Sequence, residues 1–232
     1  MLRELLSILR ASDPLQDMAA NFGKMLTLTL EMNIAAGQIF FGEGSGDTEP
    51  KQIRERDRQV NELERVIRRQ VVTHLSIQGN EADVPYSLLL MSLVKDVERL
   101  GDYAKNLSEI VDIHPSVPAP GQVTDELQRI RRGVEQAFRS AVEVFDGSQK
   151  DIARDLIREG RQIARRCDRL IADIGQSEFD AATTAALILG TRYYKRIGGH
   201  LLNVLTSVVM PLDKLDYYDE EELSSPSAKE ES

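Results

Sequence analysis

The decapeptide "ERLGDYAKNL" at residues 98–107 has a counterpart in the second half of the chain, "KRIGGHLLNV" at residues 195–204. Set against each other, Arg99 matches Arg196, Leu100 Ile197, Gly101 Gly198 and Asn106 Asn203. Between the two strings lies "HPSVPAPGQ", residues 114–122, whose Pro115, Pro118 and Pro120 exclude helix interior. This segment falls near the middle of the 232-residue chain. A shared Arg-apolar-Gly string followed by Asn, at the same place in each half, reads as a tandem duplication.

Working outward, apolar residues recur three and four apart nearly everywhere, and no period-2 pattern marks a strand. Three helices are predicted before the Pro-rich segment, over residues 14–41, 49–78 and 85–113. Three more follow, over 124–145, 149–174 and 179–210. "DP" at residues 13–14 supplies a cap and a first-turn proline, and "GEGSGDTEP", "QGNEADVP", "DGSQ", "GQSEFD" and Pro211 end successive helices. At 1.5 Å per residue, helices of about 22–30 residues measure roughly 33–45 Å. The expected fold is all-α, an elongated bundle of two tandem three-helix repeats. The expected layout is a short amphipathic helix within 1–13, the first repeat over 14–113, a linker over 114–122 and the second repeat over 123–212. An acidic tail over 213–232, disordered from about Asp219, completes it. The tail reads either as a solubilising segment or as a partner-binding one.

Composition excludes several classes. The chain is 41% hydrophobic and 29% charged, with 5% aromatic residues and no Trp, which suits a core of Leu, Ile, Val and Ala. A net charge of −9 argues against nucleic-acid binding, which depends on neutralising phosphates. No stretch has the ~18 uncharged apolar residues of a membrane span, so no membrane insertion is expected. "MLRELLSILRASDP" lacks the unbroken apolar core of a signal peptide, and a cytoplasmic location is expected. Cys167 is the single cysteine, which excludes an internal disulfide and a Cys-rich zinc site.

Chemistry concentrates on 94–111. Glu98, Asp102 and Asn106 stand at i, i+4, i+8 and share one side of a helix. They border an expected core stripe of Leu90, Val94, Val97, Gly101, Ala104, Leu107 and Val111. Gly101 costs ~1 kcal/mol inside a helix, which a close helix–helix approach would explain. In the preceding helix Asp57, Asn61 and Glu64 flank a stripe of Val60, Leu63, Ile67 and Val71. If the stripes pack, these polar flanks converge on one groove, as carboxylates do in metal-binding bundles. The same spacing is also that of an ordinary solvated helix surface.

"KDVERLGDYAKNL" resembles the signature helix of the PhoU-like phosphate-signalling family, and "RDRQVNELE" resembles the helix before it. "AFRSAVEVFDGSQKDIARDLI" is similar to the start of that family's second repeat, and the resemblance covers about residues 14–212. It implies a PhoU-like, spectrin-like bundle that is not an enzyme and couples phosphate transport to phosphate-responsive signalling. The implied partners are a membrane phosphate transporter or its ATPase and a sensor histidine kinase, with a homodimer expected. It also implies a divalent metal (Fe, Zn, Mn or Mg) in the first repeat, held by Glu98, Asp102, Asn106, Asp57 and Asn61. The second repeat departs from the pattern: Lys195 stands for Glu98, Gly199 for Asp102, Arg161 for Asp57 and Arg165 for Asn61. Hard divalent ions need several oxygen ligands, so no second site is expected. The alternative is a metal-free helical interaction module with the same fold and a different partner.

Arg161, Arg165, Arg166, Lys195 and Arg196 read either as an anion-binding groove or as a solvated face paired with Asp168 and Glu159. His74 reads as a partly buried or capping residue near a helix end, and His114 as loop. His200 lies in the altered second motif. Cys167 falls on a core stripe, and Phe40–Phe41 and Tyr193–Tyr194 read as packing aromatics. No nucleophile has a visible base, and "GEGSGD" lacks the Lys-Ser/Thr of a phosphate-binding loop. No Glu-x-x-His pair of a di-iron enzyme occurs.

Overall fold

The computed structural model describes residues 13–43, 50–112, 114, 118–147 and 150–210. The expected helix within 1–13 and the tail over 213–232 lie outside these, apart from Asp13. Among the described residues there are six long helices and no strand: α1 (Asp13–Phe40), α2 (Pro50–Leu75), α3 (Val84–Ser108), α4 (Gln122–Gly147), α5 (Lys150–Gly175) and α6 (Ala181–Val209). Two 3-10 turns, Glu81–Asp83 and Glu109–Asp112, flank α3. The first three helices form one repeat and the last three the other.

Helix α1 packs on α2, α3 and α4, while α6 packs on α3, α4 and α5. Thus α1, α3, α6 and α4 close a ring, and α2 and α5 lean on it from opposite edges. Burial follows this placement. In α3, 13 residues are buried, against five in α2, which shows one side to the core. The seam of α2 is Ile53, Val60, Ile67, Val71 and His74, with Leu63 only partly buried at its edge. In α3 the expected stripe is buried except at Val111. The helix ends at Ser108, and the tighter 3-10 winding turns Ile110 inward in its place.

Local chemistry sets the ends. The Asp180 carboxylate accepts from the amides of Ala182 and Thr183 at 2.9 and 3.0 Å, capping α6. His74 links the end of α2 to the turn before α3. Its Nε2 donates to Asp83 Oδ2 at 2.7 Å, and its Nδ1 accepts from Asn80 Nδ2 at 3.3 Å.

Gly101 has an ordinary neighbourhood. A Cβ built there meets Thr29 Cγ2 at 3.4 Å and Met32 Cε at 3.5 Å, normal contact distances. The forced glycines are others, among them Gly160, where a Cβ would lie 2.6 Å from Leu202 Cδ2, and Gly190, where it would lie 2.8 Å from Phe40 Cζ; Gly37 and Gly133 are as tight, at 2.7 Å from Arg131 Nε and 2.8 Å from Ile163 Cδ1.

Candidate functional site in the α2–α3 groove

Because α2 presents only one stripe to the core, its polar flank stands beside that of α3, and the two line a groove. Asp57, Asn61 and Glu64 come from α2, and Glu98, Asp102 and Asn106 from α3, all half-buried. The side chain that joins the helices is Lys105. Its Nζ donates to Asp57 Oδ2 and to Asp102 Oδ1, each at 3.0 Å. Asp57 is 14% exposed and Lys105 25%, so this bridge is partly shielded from water. Burial acts to lower the Lys105 pKa, but hydrogen bonds to Asp102 and Asp57 outweigh it and hold the ammonium above its ordinary value.

Two arginines complete the balance. Arg99 Nη1 lies 3.0 Å from Asp102 Oδ2, and its Nε 3.6 Å from Glu98 Oε2. Arg68 Nη2 pairs with Glu64 at 2.6 Å. Glu98 is the acid least well served. Burial, then the negative charge of Asp102, push its pKa up to about 7; Arg99 offsets part of this, while Glu64 and a hydrogen bond with Asp102 add to it.

Of the five residues expected to hold a metal, Asp57 and Asp102 meet at Lys105 and Glu98 lies beside Asp102, yet as placed these carboxylates do not fit a metal ion. Among the described residues no three His, Cys, Asp or Glu side chains come together in a way that could hold one. Both carboxylate oxygens of Asp102 are engaged by cationic side chains of this chain. Lys105 was within reach of sequence reasoning, because Asp102 and Lys105 are an i, i+3 pair. Its crossing to Asp57 has no local signature.

The corresponding α5–α6 groove is organised differently. Lys195 pairs with Asp168 across the two helices. Arg166 turns toward α4 and pairs with Glu126 at 2.6 Å, and that hydrogen bond is the main reason the Glu126 pKa is lowered. Arg166 and Lys195 thus serve separate grooves. Cys167 is fully buried, and burial pushes its thiol up to about 12, which makes it inert.

A second polar cluster joins the repeats, and sequence reasoning missed it. Asp96, 1% exposed, lies inside the α3–α6 contact. Its Oδ1 accepts from His200 Nδ1 at 2.8 Å and from Asn203 Nδ2 at 3.0 Å. Tyr103 stacks on His200 with ring centroids 5.6 Å apart, and Tyr193 lies 6.1 Å from Tyr103. In the repeat alignment Tyr103 corresponds to His200 and Asp96 to Tyr193. The stack therefore pairs equivalent residues of the two repeats. The available signal was an acid on the apolar side of α3, with Leu93 and Leu100 three before and four after.

Fold and groove together define a tandem three-helix-repeat protein whose charged groove is paired internally. Residues 15–111 match the family model described as the PhoU domain. No curated protein matches the sequence. Among solved structures, PhoU from Pseudomonas aeruginosa is similar at 22% identity with a TM-score of 0.76, covering 87% of this chain and 97% of that one. The phosphate transport system regulatory protein PhoU from Streptococcus pneumoniae is similar at 15% identity with a TM-score of 0.72, covering 87% and 94%. Residues 15–111 are thus similar to the PhoU domain, and the whole bundle has the fold of these two solved structures.

Proposed function

We propose that the chain is a non-enzymatic regulator of phosphate transport, acting by docking its long helical faces on a membrane phosphate transporter or its ATPase. Through a sensor histidine kinase it would pass the transporter's state to phosphate-responsive signalling. The observation that carries this reading is the PhoU domain over residues 15–111, set in a bundle similar along its length to a phosphate transport regulatory protein. The described side chains support a non-catalytic role. The one thiol is inert, and His74, His114 and His200 bond to Asp83, Thr183 and Asp96. Among the described residues no helix is long and apolar enough to cross a membrane, so contact with a transporter would be peripheral.

Exposed apolar side chains suggest where contact is made. Val72, Ile77, Val84 and Leu88 are exposed around the turn joining α2 to α3, at one end of the first repeat. The test uses membrane vesicles carrying the phosphate transporter with its ATPase. Full-length protein should bind them saturably and change phosphate-dependent ATP hydrolysis, and Val72→Asp with Leu88→Asp should weaken both. Wild-type protein that neither binds nor changes hydrolysis, while captured by a different partner, would favour the interaction-module reading.

A further inference from the structure

The α2–α3 groove holds four acids, Asp57, Glu64, Glu98 and Asp102, and three basic side chains that reach them, Arg68, Arg99 and Lys105. Arg68 meets an acid of its own helix, and so does Arg99. Of these three, only Lys105 ties one helix to the other. A divalent ion bridging α2 and α3 needs several oxygens at ~2.0–2.6 Å. The two carboxylates best placed to bridge, Asp57 and Asp102, both point at Lys105 Nζ. An ammonium and a divalent ion repel and compete for the same oxygens.

The second repeat shows what this layer of the bundle requires. In the repeat alignment Lys105 corresponds to Leu202. Leu202 is buried and packs so closely over Gly160 that a Cβ there would lie 2.6 Å from its Cδ2. Thus α5 and α6 are fastened by an apolar contact at the level where α2 and α3 are fastened by an ammonium.

We propose that Lys105 is the resident cation of the first-repeat groove: held between Asp57 of α2 and Asp102 of α3, it fastens the two helices where a divalent ion would have to bind, and makes the repeat independent of metal. This inference concerns the groove alone and stands or falls separately from the transporter-docking reading.

The test compares full-length wild type with Lys105→Met, which keeps the aliphatic stem, and with Lys105→Arg, which keeps the charge. Thermal unfolding is followed with EDTA and with Mn²⁺, and Mn²⁺ affinity is measured by calorimetry. The wild-type Tm should stay within about 1 °C in EDTA, and Lys105→Met should unfold about 2–4 °C lower. Lys105→Met should also bind Mn²⁺ at least ~10-fold more tightly than wild type and regain stability with it. Lys105→Arg should behave as wild type. Wild type that carries one chelator-removable metal per chain and loses Tm on its removal overturns the proposal. So does a Lys105→Met protein with unchanged Tm and no gain in Mn²⁺ affinity. The chelator arm needs no variant, so it decides even if Lys105→Met does not fold.

Discussion

The grooves α2–α3 and α5–α6 are built on the same helical plan and resolve charge in opposite ways. With Leu63 aligned to Cys167, Glu64 corresponds to Asp168, and Glu98 corresponds to Lys195. Where the first repeat sets two acids near each other, the second has an interhelical ion pair between Asp168 and Lys195. One layer further on the roles reverse, with Lys105 bridging in the first repeat and Leu202 packing in the second. The lesson is that the helix pair must be tied at each layer, while the chemistry of the tie is free to change.

The comparison is most sharply broken at its apolar end. Leu202→Ala removes the contact over Gly160 and should cost about 2–5 kcal/mol, read as a lowered denaturant midpoint. A loss as small as that of a surface substitution would mean that this layer needs no tie. Asp96→Ala probes the seam between the repeats instead. It leaves His200 and Asn203 without their acceptor, and about 1–3 kcal/mol should be lost. Chemical denaturation of this variant should also become less cooperative if the seam couples the two repeats.

Glu98→Gln tests the surplus acid. The Glu98 pKa is raised by folding, so below the unfolded value of about 4.5 the group costs nothing. The penalty grows as pH rises toward about 7, where the folded protein loses the proton. Glu98→Gln should therefore gain about 1 kcal/mol over wild type at pH 8, reduced from the full shift by solvent screening, and nothing at pH 4. Melting curves at the two pH values check this, and an equal gain at both would assign the effect to packing. The smallest effect is expected at Gly198, where a Cβ meets nothing within 4 Å. Gly198→Ala should gain about 0.5–1 kcal/mol from helix propensity, whereas Gly190→Ala, which meets Phe40, should lose stability.

Much of this was legible in the sequence. The prolines and Gly-rich breaks placed the helix ends within a few residues, and Asp180 caps α6 by a rule that acts over one helical turn. The 3.6-residue period identified the buried side of α3 from Leu90 to Leu107, because burial of one side is a repeating local demand. The same period, carried past Ser108, puts Val111 in the core, but the backbone tightens there and leaves it half-buried. Gly101 and Gly198 form a matched pair in the sequence, but neither is under steric demand, whereas Gly160 and Gly190 are among the glycines that are. Their partners, Leu202 and Phe40, lie on other helices.

The sequence by itself determined six amphipathic helices in two repeats, an acidic flank on the first, and its loss in the second. These follow from spacing along one chain, where neighbours three and four apart must share a side. Tertiary structure decided that Lys105 stands between Asp57 and Asp102, that Arg166 leaves the α5–α6 groove for Glu126, and that Asp96 meets His200 across the seam. Charge compensation acts through space over a few ångströms. Which opposite charge is nearest therefore depends on how the helices are rotated against each other, and that angle is set by the whole core at once.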